Sequence, residues 1–200
     1  MADAVRAIAG CVADQPVGHA GAYHTIQDLN LLPKPIQRPR PPILIGGGRR
    51  RILSIAARHA DIVGIIFRTT ADGMPDFADI TAEATAHKVA WVRQAAGERF
   101  GDIELSVFAP LIAVTDDDPR QAAARLLQAF GFGLASQLSV EQVLASPRAL
   151  IGSVEHIIEM LQARRQRYGL SDVVIREADV GSAASHMDAL APVVARLAGR

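Results

Sequence analysis

The stretch PPILIGGGRRRILSIAARHADIVGIIF, Pro41 to Phe67, decides the fold class. Ile43, Leu44 and Ile45 form a short, continuous apolar run that stops at Gly46, Gly47 and Gly48. Residues 50–59 then read as a helix, because Ile52, Leu53, Ile55 and Ala56 recur at helical spacing. Residues 61–67 are a second apolar run of strand length. Strand, glycine turn, helix and strand in that order make a βα unit followed by its neighbour. Neither run alternates apolar with polar residues, which predicts strands covered on both faces and therefore a parallel sheet in an α/β fold.

The same rhythm continues downstream. Residues 68–75 read as a loop, and residues 77–96 as a long helix with Ile80, Ala84, Val89 and Val92 inward. Residues 103–114 give a third strand region broken by Pro110, and Asp118 caps a helix begun by Pro119 with Ala122, Leu126 and Leu127 on its apolar face. Residues 131–147 read as a helical insertion of mixed character. Ser153 caps a helix that runs to Tyr168 and stops at Gly169. Residues 172–176 are the fourth strand and residues 188–197 the closing helix. Upstream, residues 2–13 read as a short helix with Val5, Ile8, Ala9 and Val12 on one stripe, and residues 18–32 as a loop with a short hairpin. Pro33, Pro35, Pro39, Pro41 and Pro42 hold the approach to Ile43 extended.

Composition bounds the partners. The 200 residues are 50% hydrophobic, enough for one sizeable core, and 21 basic side chains balance 21 acidic ones. A chain with no net charge has no field with which to hold a polyanion, so neither nucleic acid nor an acidic membrane surface is expected as a partner. A single cysteine, Cys11, forms no internal disulfide, and the opening residues lack the order of a signal peptide, which points to the cytoplasm. No apolar run approaches the roughly 20 residues that a membrane-spanning helix needs.

Four segments carry a resemblance to a known family. Residues 33–48, PKPIQRPRPPILIGGG, are similar to the lead-in to the fifth strand of luciferase-like monooxygenases, and residues 53–64, LSIAARHADIVG, to the helix and sixth strand that follow. Residues 151–158, IGSVEHII, resemble the family's Gly-Thr/Ser-x-Glu-x-Ile/Val helix start, and residues 168–175, YGLSDVVI, its last strand. The resemblance extends over almost the whole chain and is nearest the subgroup that uses coenzyme F-420 (8-hydroxy-5-deazaflavin) in place of FMN. It implies a partial (β/α)8 barrel of strands five to eight, since a complete barrel takes about 250 residues. Residues 1–32 are then a truncated helix with a hairpin lead-in, and residues 33–200 the C-terminal half of the barrel. No catalytic acid or base carries over onto this sequence, and the implied active site is incomplete.

In such a barrel, ligands sit at the C-terminal ends of the strands. Gly46, Gly47 and Gly48 would let a coenzyme's phosphate or ring edge approach the backbone, although a tight strand-to-helix turn uses glycine equally well. Arg49, Arg50 and Arg51 oppose the dipole at a helix start unless an anion binds there; the alternative is a solvated charge run. Arg68 ends a strand at the same mouth, where it could pair with an acidic group or simply stand in solvent. The dinucleotide fingerprint G-x-G-x-x-G is not met, because Arg51 occupies its third glycine position. Ser153 is either an anion contact with Gly152 or a plain cap. Asp116, Asp117 and Asp118 precede Pro119 and read as capping residues, not as metal ligands. His19, His24, His59, His87, His156 and His186 have no zinc spacing, and no G-x-S-x-G elbow is present.

Three functional readings follow. The first is a flavin- or F-420-dependent oxidoreductase acting on a small-molecule substrate, in which Gly47→Asp would abolish coenzyme binding without loss of helix. The second is a non-catalytic half-barrel that forms a homodimer or pairs with a separate N-terminal half, because four strands leave two open edges. The third is an open doubly wound nucleotide binder with Gly46 to Gly48 at its switch point.

Overall fold

The computed structural model describes residues 1–129, 134–175 and 183–198, with side chains in the last stretch from Asp188 onward. The chain opens with α1 (Ala2–Cys11) and an antiparallel hairpin, β1 (Val17–Ala20) and β2 (Thr25–Leu29). Next come β3 (Leu44–Gly47), α2 (Arg50–His59), β4 (Ile62–Ile65), α3 (Ala82–Ala96) and β5 (Glu104–Phe108). The remainder is β6 (Leu111–Val114), α4 (Pro119–Ala129), α5 (Leu134–Gln137), α6 (Val140–Ala145), β7 (Ala149–Gly152), α7 (Val154–Tyr168), β8 (Leu170–Val174) and α8 (Ala183–Leu197).

Four strands form one parallel sheet in the order β3-β4-β5-β8, and β6 and β7 form a separate parallel pair. The parallel α/β arrangement agrees with the unalternating runs. The expected half-barrel of four strands does not. Among the described residues there are eight strands and eight α-helices.

The extra strands have physical causes. Proline has no N–H to donate to a ladder, and Pro110 divides the third strand region into β5 and β6, which then join different sheets. Residues 149–152, where no strand was expected, pair with β6 from Leu111↔Ala149 to Val114↔Gly152. The hairpin expected within residues 18–32 supplies the remaining two. Residues 77–96 also divide, into a 3-10 turn at Phe77–Ile80 and α3, because Thr81 caps the helix by accepting from the Ala84 N–H at 3.3 Å. The insertion expected over residues 131–147 contains α5 and α6, and residues 131–133 lie outside the described residues, as does Arg176 at the expected end of the last strand.

One core lies between α2, α3 and the sheet, where Leu53, Ala56, Ala57, Val63, Ile65, Val89, Val92, Leu105 and Val107 are buried and Trp91 packs at the side. A second joins the Phe77–Ile80 turn to α4, α6, β6 and β7, and a third lies under α7 and α8. No helix among the described residues is long and apolar enough to cross a membrane.

The proline-rich approach is held by one carboxylate. Asp61 accepts from Arg40 Nη2 at 3.1 Å and from the Ile43 N–H at 2.7 Å, tying residues 40–43 to the start of β4. The Arg40 hydrogen bond, with help from the Ile43 N–H, holds the Asp61 carboxyl below its ordinary range although partial burial pushes it up. A lowered folded-state pKa stabilises the fold above the unfolded value of about 3.9 and loses that contribution as pH falls through the folded value. Thermal midpoints recorded from pH 6 to pH 2 should therefore fall less steeply in Asp61→Asn than in the wild type below about pH 4; parallel profiles would reject the tie.

Candidate functional site

Side chains on neighbouring parallel strands share a face when their residues are in register. Val63, Ile65, Leu105 and Val107 face α2 and α3, so Gly46, Gly64, Ser106 and Asp172, registered in one row across β3, β4, β5 and β8, occupy the opposite face. That face is smooth at its centre and open at its margins. A Cβ on Gly64 would stand 3.2 Å from the Gly46 Cα, whereas one on Gly46 would meet only the Gly64 carbonyl oxygen at 3.7 Å. Ser106 Oγ donates to Asp172 Oδ2 at 2.6 Å, while Leu44 and Val174 remain 52% and 45% exposed.

At the C-terminal end of this sheet the three candidate glycines have different surroundings. Gly47 lies on the helix side, where a Cβ would come within 2.5 Å of Ile52 Cγ2. Gly48 lies against the next strand's exit, where a Cβ would collide with the Phe67 carbonyl oxygen and stand 2.7 Å from the Arg68 nitrogen. These two glycines are required by packing. Gly46 alone faces open space, so a substitution at Gly47 would disturb Ile52 before it disturbed a ligand.

The N-terminus of α2 begins beside these glycines with no side-chain cap and no acidic residue in its first turn. Arg49 Nη2 donates to the Thr69 carbonyl at 2.8 Å across the mouth, and Arg50 Nη2 turns away to Gln94 at 3.0 Å. Arg51 is exposed. Of the three arginines, Arg49 is the one joined to the strand exit at residue 69. Arg68 is already engaged: its guanidinium contacts Asp76 at 2.9 Å and Asp79 at 3.4 Å, and its N–H donates to Asp79 Oδ2 at 2.7 Å.

Beneath Arg68 lies a network that the sequence reading missed. Asp79 is 4% exposed and also receives Lys88 Nζ, which is 1% exposed and donates to the Ile66 carbonyl at 2.8 Å. Burial depresses the Lys88 ammonium, and Asp79 opposes that shift by hydrogen bond and by charge. Arg148, 0% exposed, donates from Nε to the Phe108 carbonyl at 2.8 Å and stacks 5.3 Å from the Phe67 ring centroid. One signal was available: Lys88 stands on the buried stripe of α3 with Thr85, Val89 and Val92. Arg148 follows Pro147 in a turn and has no such periodicity to betray it.

Other candidates resolve into local structure. Ser153 caps α7 by accepting from the His156 N–H at 3.3 Å, and Asp118 caps α4 by accepting from the Arg120 N–H at 2.9 Å. Gly169 ends α7 in the left-handed conformation, with φ of 75°.

The sequence model of luciferase-like monooxygenases matches residues 1–198, the first 32 included. Among solved structures, the monooxygenase RslO1 from Streptomyces bottropensis is 20% identical with a TM-score of 0.63, covering 97% of this chain and 59% of its own. The coenzyme F-420-dependent tetrahydromethanopterin reductase from Methanopyrus kandleri is 13% identical with a TM-score of 0.65, covering 98% and 63%. A riboflavin lyase, solved with modified FMN and riboflavin, is 15% identical with a TM-score of 0.57, covering 90% and 48%. The chain thus spans roughly three fifths, or less, of the length of these structures.

The likeness is not confined to a C-terminal half, because the family match begins at residue 1 and the described residues hold eight strands and not four. The premise that the catalytic half is missing falls with it.

Proposed function

Because the chain belongs to the luciferase-like monooxygenase family, we propose that it is an oxidoreductase that holds a flavin or deazaflavin, FMN or coenzyme F-420, at the C-terminal end of its four-stranded sheet. The observation that carries this reading is the convergence of an open Gly46, the uncapped start of α2 and Arg49 at one strand exit. An anionic coenzyme tail would receive the free N–H groups and the arginine charge there. Gly46 and Gly64 would let a flat ring lie close to the sheet. When bound, the coenzyme supplies hydride transfer or oxygen activation, and the protein positions the ring and keeps water from it.

The roles of the chain's own residues follow from their surroundings. Gly48 brings the start of α2 against the exit of β4, and Arg68 is steadied by Asp76 and Asp79, so that its charge shapes the rim without being free to follow a ligand. The partners that suit this reading are a small organic substrate and a second copy of the chain, the latter because Leu44 and Val174 leave the open face apolar.

Coenzyme titration tests the site. Gly46→Val, whose side chain would fill the open face, should weaken binding of FMN or F-420 by at least about tenfold, equivalent to about 1.4 kcal/mol. Arg49→Gln should weaken it less and make the remaining affinity less sensitive to salt. Wild-type affinity in both variants, measured by coenzyme fluorescence, would remove this strand exit from the binding site.

A further inference from the structure

We infer that the groove between α3 and α7 binds a small organic monoanion, a compact apolar body carrying one carboxylate. The groove holds about 410 Å³, within the range of about 300–1,000 Å³ that small-molecule sites occupy. Ala86, Val89 and Ala90 of α3 line one side with small apolar groups, and Tyr168 of α7 lines the other. Both helices lead back to the start of a strand, β5 and β8, so their last turns stand at the strand starts. The coenzyme region, with Gly46 and Arg49, lies at the strand exits and shares no residue with this groove.

The first observation behind the inference is an unused donor. Tyr168 is 6% exposed, and its hydroxyl has no hydrogen-bond partner among the described residues. Unlike the orphaned nitrogens of Arg148 and Arg164, that hydroxyl is not closed to solvent. A phenol in such a place needs an acceptor, and none of the protein's own is within reach.

Charge supplies the second observation. The Arg93 guanidinium sits 4.2 Å from the Phe100 ring centroid and that of Arg167 5.1 Å from the Tyr168 ring, so ring faces hold both cations at the groove. Neither forms an ion pair among the described residues, and no acidic side chain lines the groove. Glu83, a turn before Ala86 on α3, pairs with neither arginine. A third cation stands next to them, since Gln94 accepts from Arg50 Nη2 at 3.0 Å. Arg164, one turn before Tyr168, is also buried, but its Nη2 is engaged by the Ser146 and Ala149 carbonyls. The C-terminal ends of α3 and α7 supply roughly half a negative charge each, which offsets one of the two rim arginines. At least one positive charge remains in excess. A carboxylate takes the phenol O–H and the arginine N–H groups in charge-assisted bonds, while the apolar body lies on Ala86, Val89 and Ala90.

The probe is 2-naphthoate, used without coenzyme so that this inference and the coenzyme reading fail separately. It should shift the amide resonances of Ala86, Ala90 and Gln94, with an affinity that falls as salt is added. The double variant Arg93→Gln, Arg167→Gln changes two exposed side chains, and should weaken binding at least about tenfold with an unchanged circular dichroism spectrum. Tyr168→Phe should weaken it about fivefold, the loss of one hydrogen bond. 2-Naphthalenemethanol, the same body without the charge, should bind at least about tenfold more weakly than the acid. Equal affinity for acid and alcohol, or resonance shifts only outside the groove, would overturn the inference. So would shifts produced by a hexaglutamate peptide where naphthoate gives none, which would assign the groove to an acidic segment of another protein.

Discussion

Asp79→Ala should lower stability by about 3–5 kcal/mol, the cost of removing one partner from a buried ion pair, and drop the thermal midpoint by roughly 6–20 °C for a chain of this size. The reason is that one carboxylate serves three donors, Lys88 Nζ, the Arg68 N–H and the Arg68 guanidinium, and also offsets the Arg148 charge through space. Removing it leaves Lys88 buried beside two arginines with only carbonyl oxygens as partners. The double variant Asp79→Asn, Lys88→Met removes one charge of each sign and retains an acceptor for the Arg68 N–H. It should recover at least half of the loss. Urea unfolding followed by circular dichroism decides the matter: a single variant within about 1 kcal/mol of wild type would show that the pair contributes little.

Gly48→Val carries the second large effect. A β-carbon at residue 48 would lie within 2.7 Å of three backbone atoms of Phe67 and Arg68, and backbone cannot rotate out of the way as a side chain can. The exits of β3 and β4 must separate, at a cost of about 3 kcal/mol, the upper end for overpacking. Gly46→Val, two residues away with its nearest contact at 3.7 Å, should leave stability nearly unchanged. The contrast matters more than either value. Equal destabilisation by the two substitutions would mean that the open face at Gly46 is not open, and the proposed coenzyme position would fall with it.

Periodicity makes an element legible in the sequence, whereas a proline or an isolated polar residue conceals one. Continuous apolar runs at Ile43–Ile45 and Ile62–Phe67 point to parallel strands, and both pair so from Leu44↔Ile62 onward, but the expected cover on both faces is not met, since Leu44 is 52% exposed. Caps were equally legible, since Ser153, Asp118 and Gly169 act locally and need no tertiary partner. Strand number was not, because Pro110 divides one apolar run between two sheets and residues 149–152 are too short an apolar run to stand out until β6 lies beside them. The glycine triplet was visible as a group, but its division of labour was not. Which glycine faces α2, which faces Phe67 and which faces outward depends on strand register. The buried Arg148 left no trace at all, for its partners, Phe108 and Phe67, lie far upstream in the chain.

The position of Trp91 has a practical corollary. It is the chain's sole indole and it packs beside the core formed by α2, α3 and the four-stranded sheet, away from the core that holds β6 and β7. Its emission therefore reports on one layer of the molecule only. A red shift that precedes or lags the loss of far-ultraviolet signal would reveal that the two strand systems on either side of Pro110 come apart in separate steps.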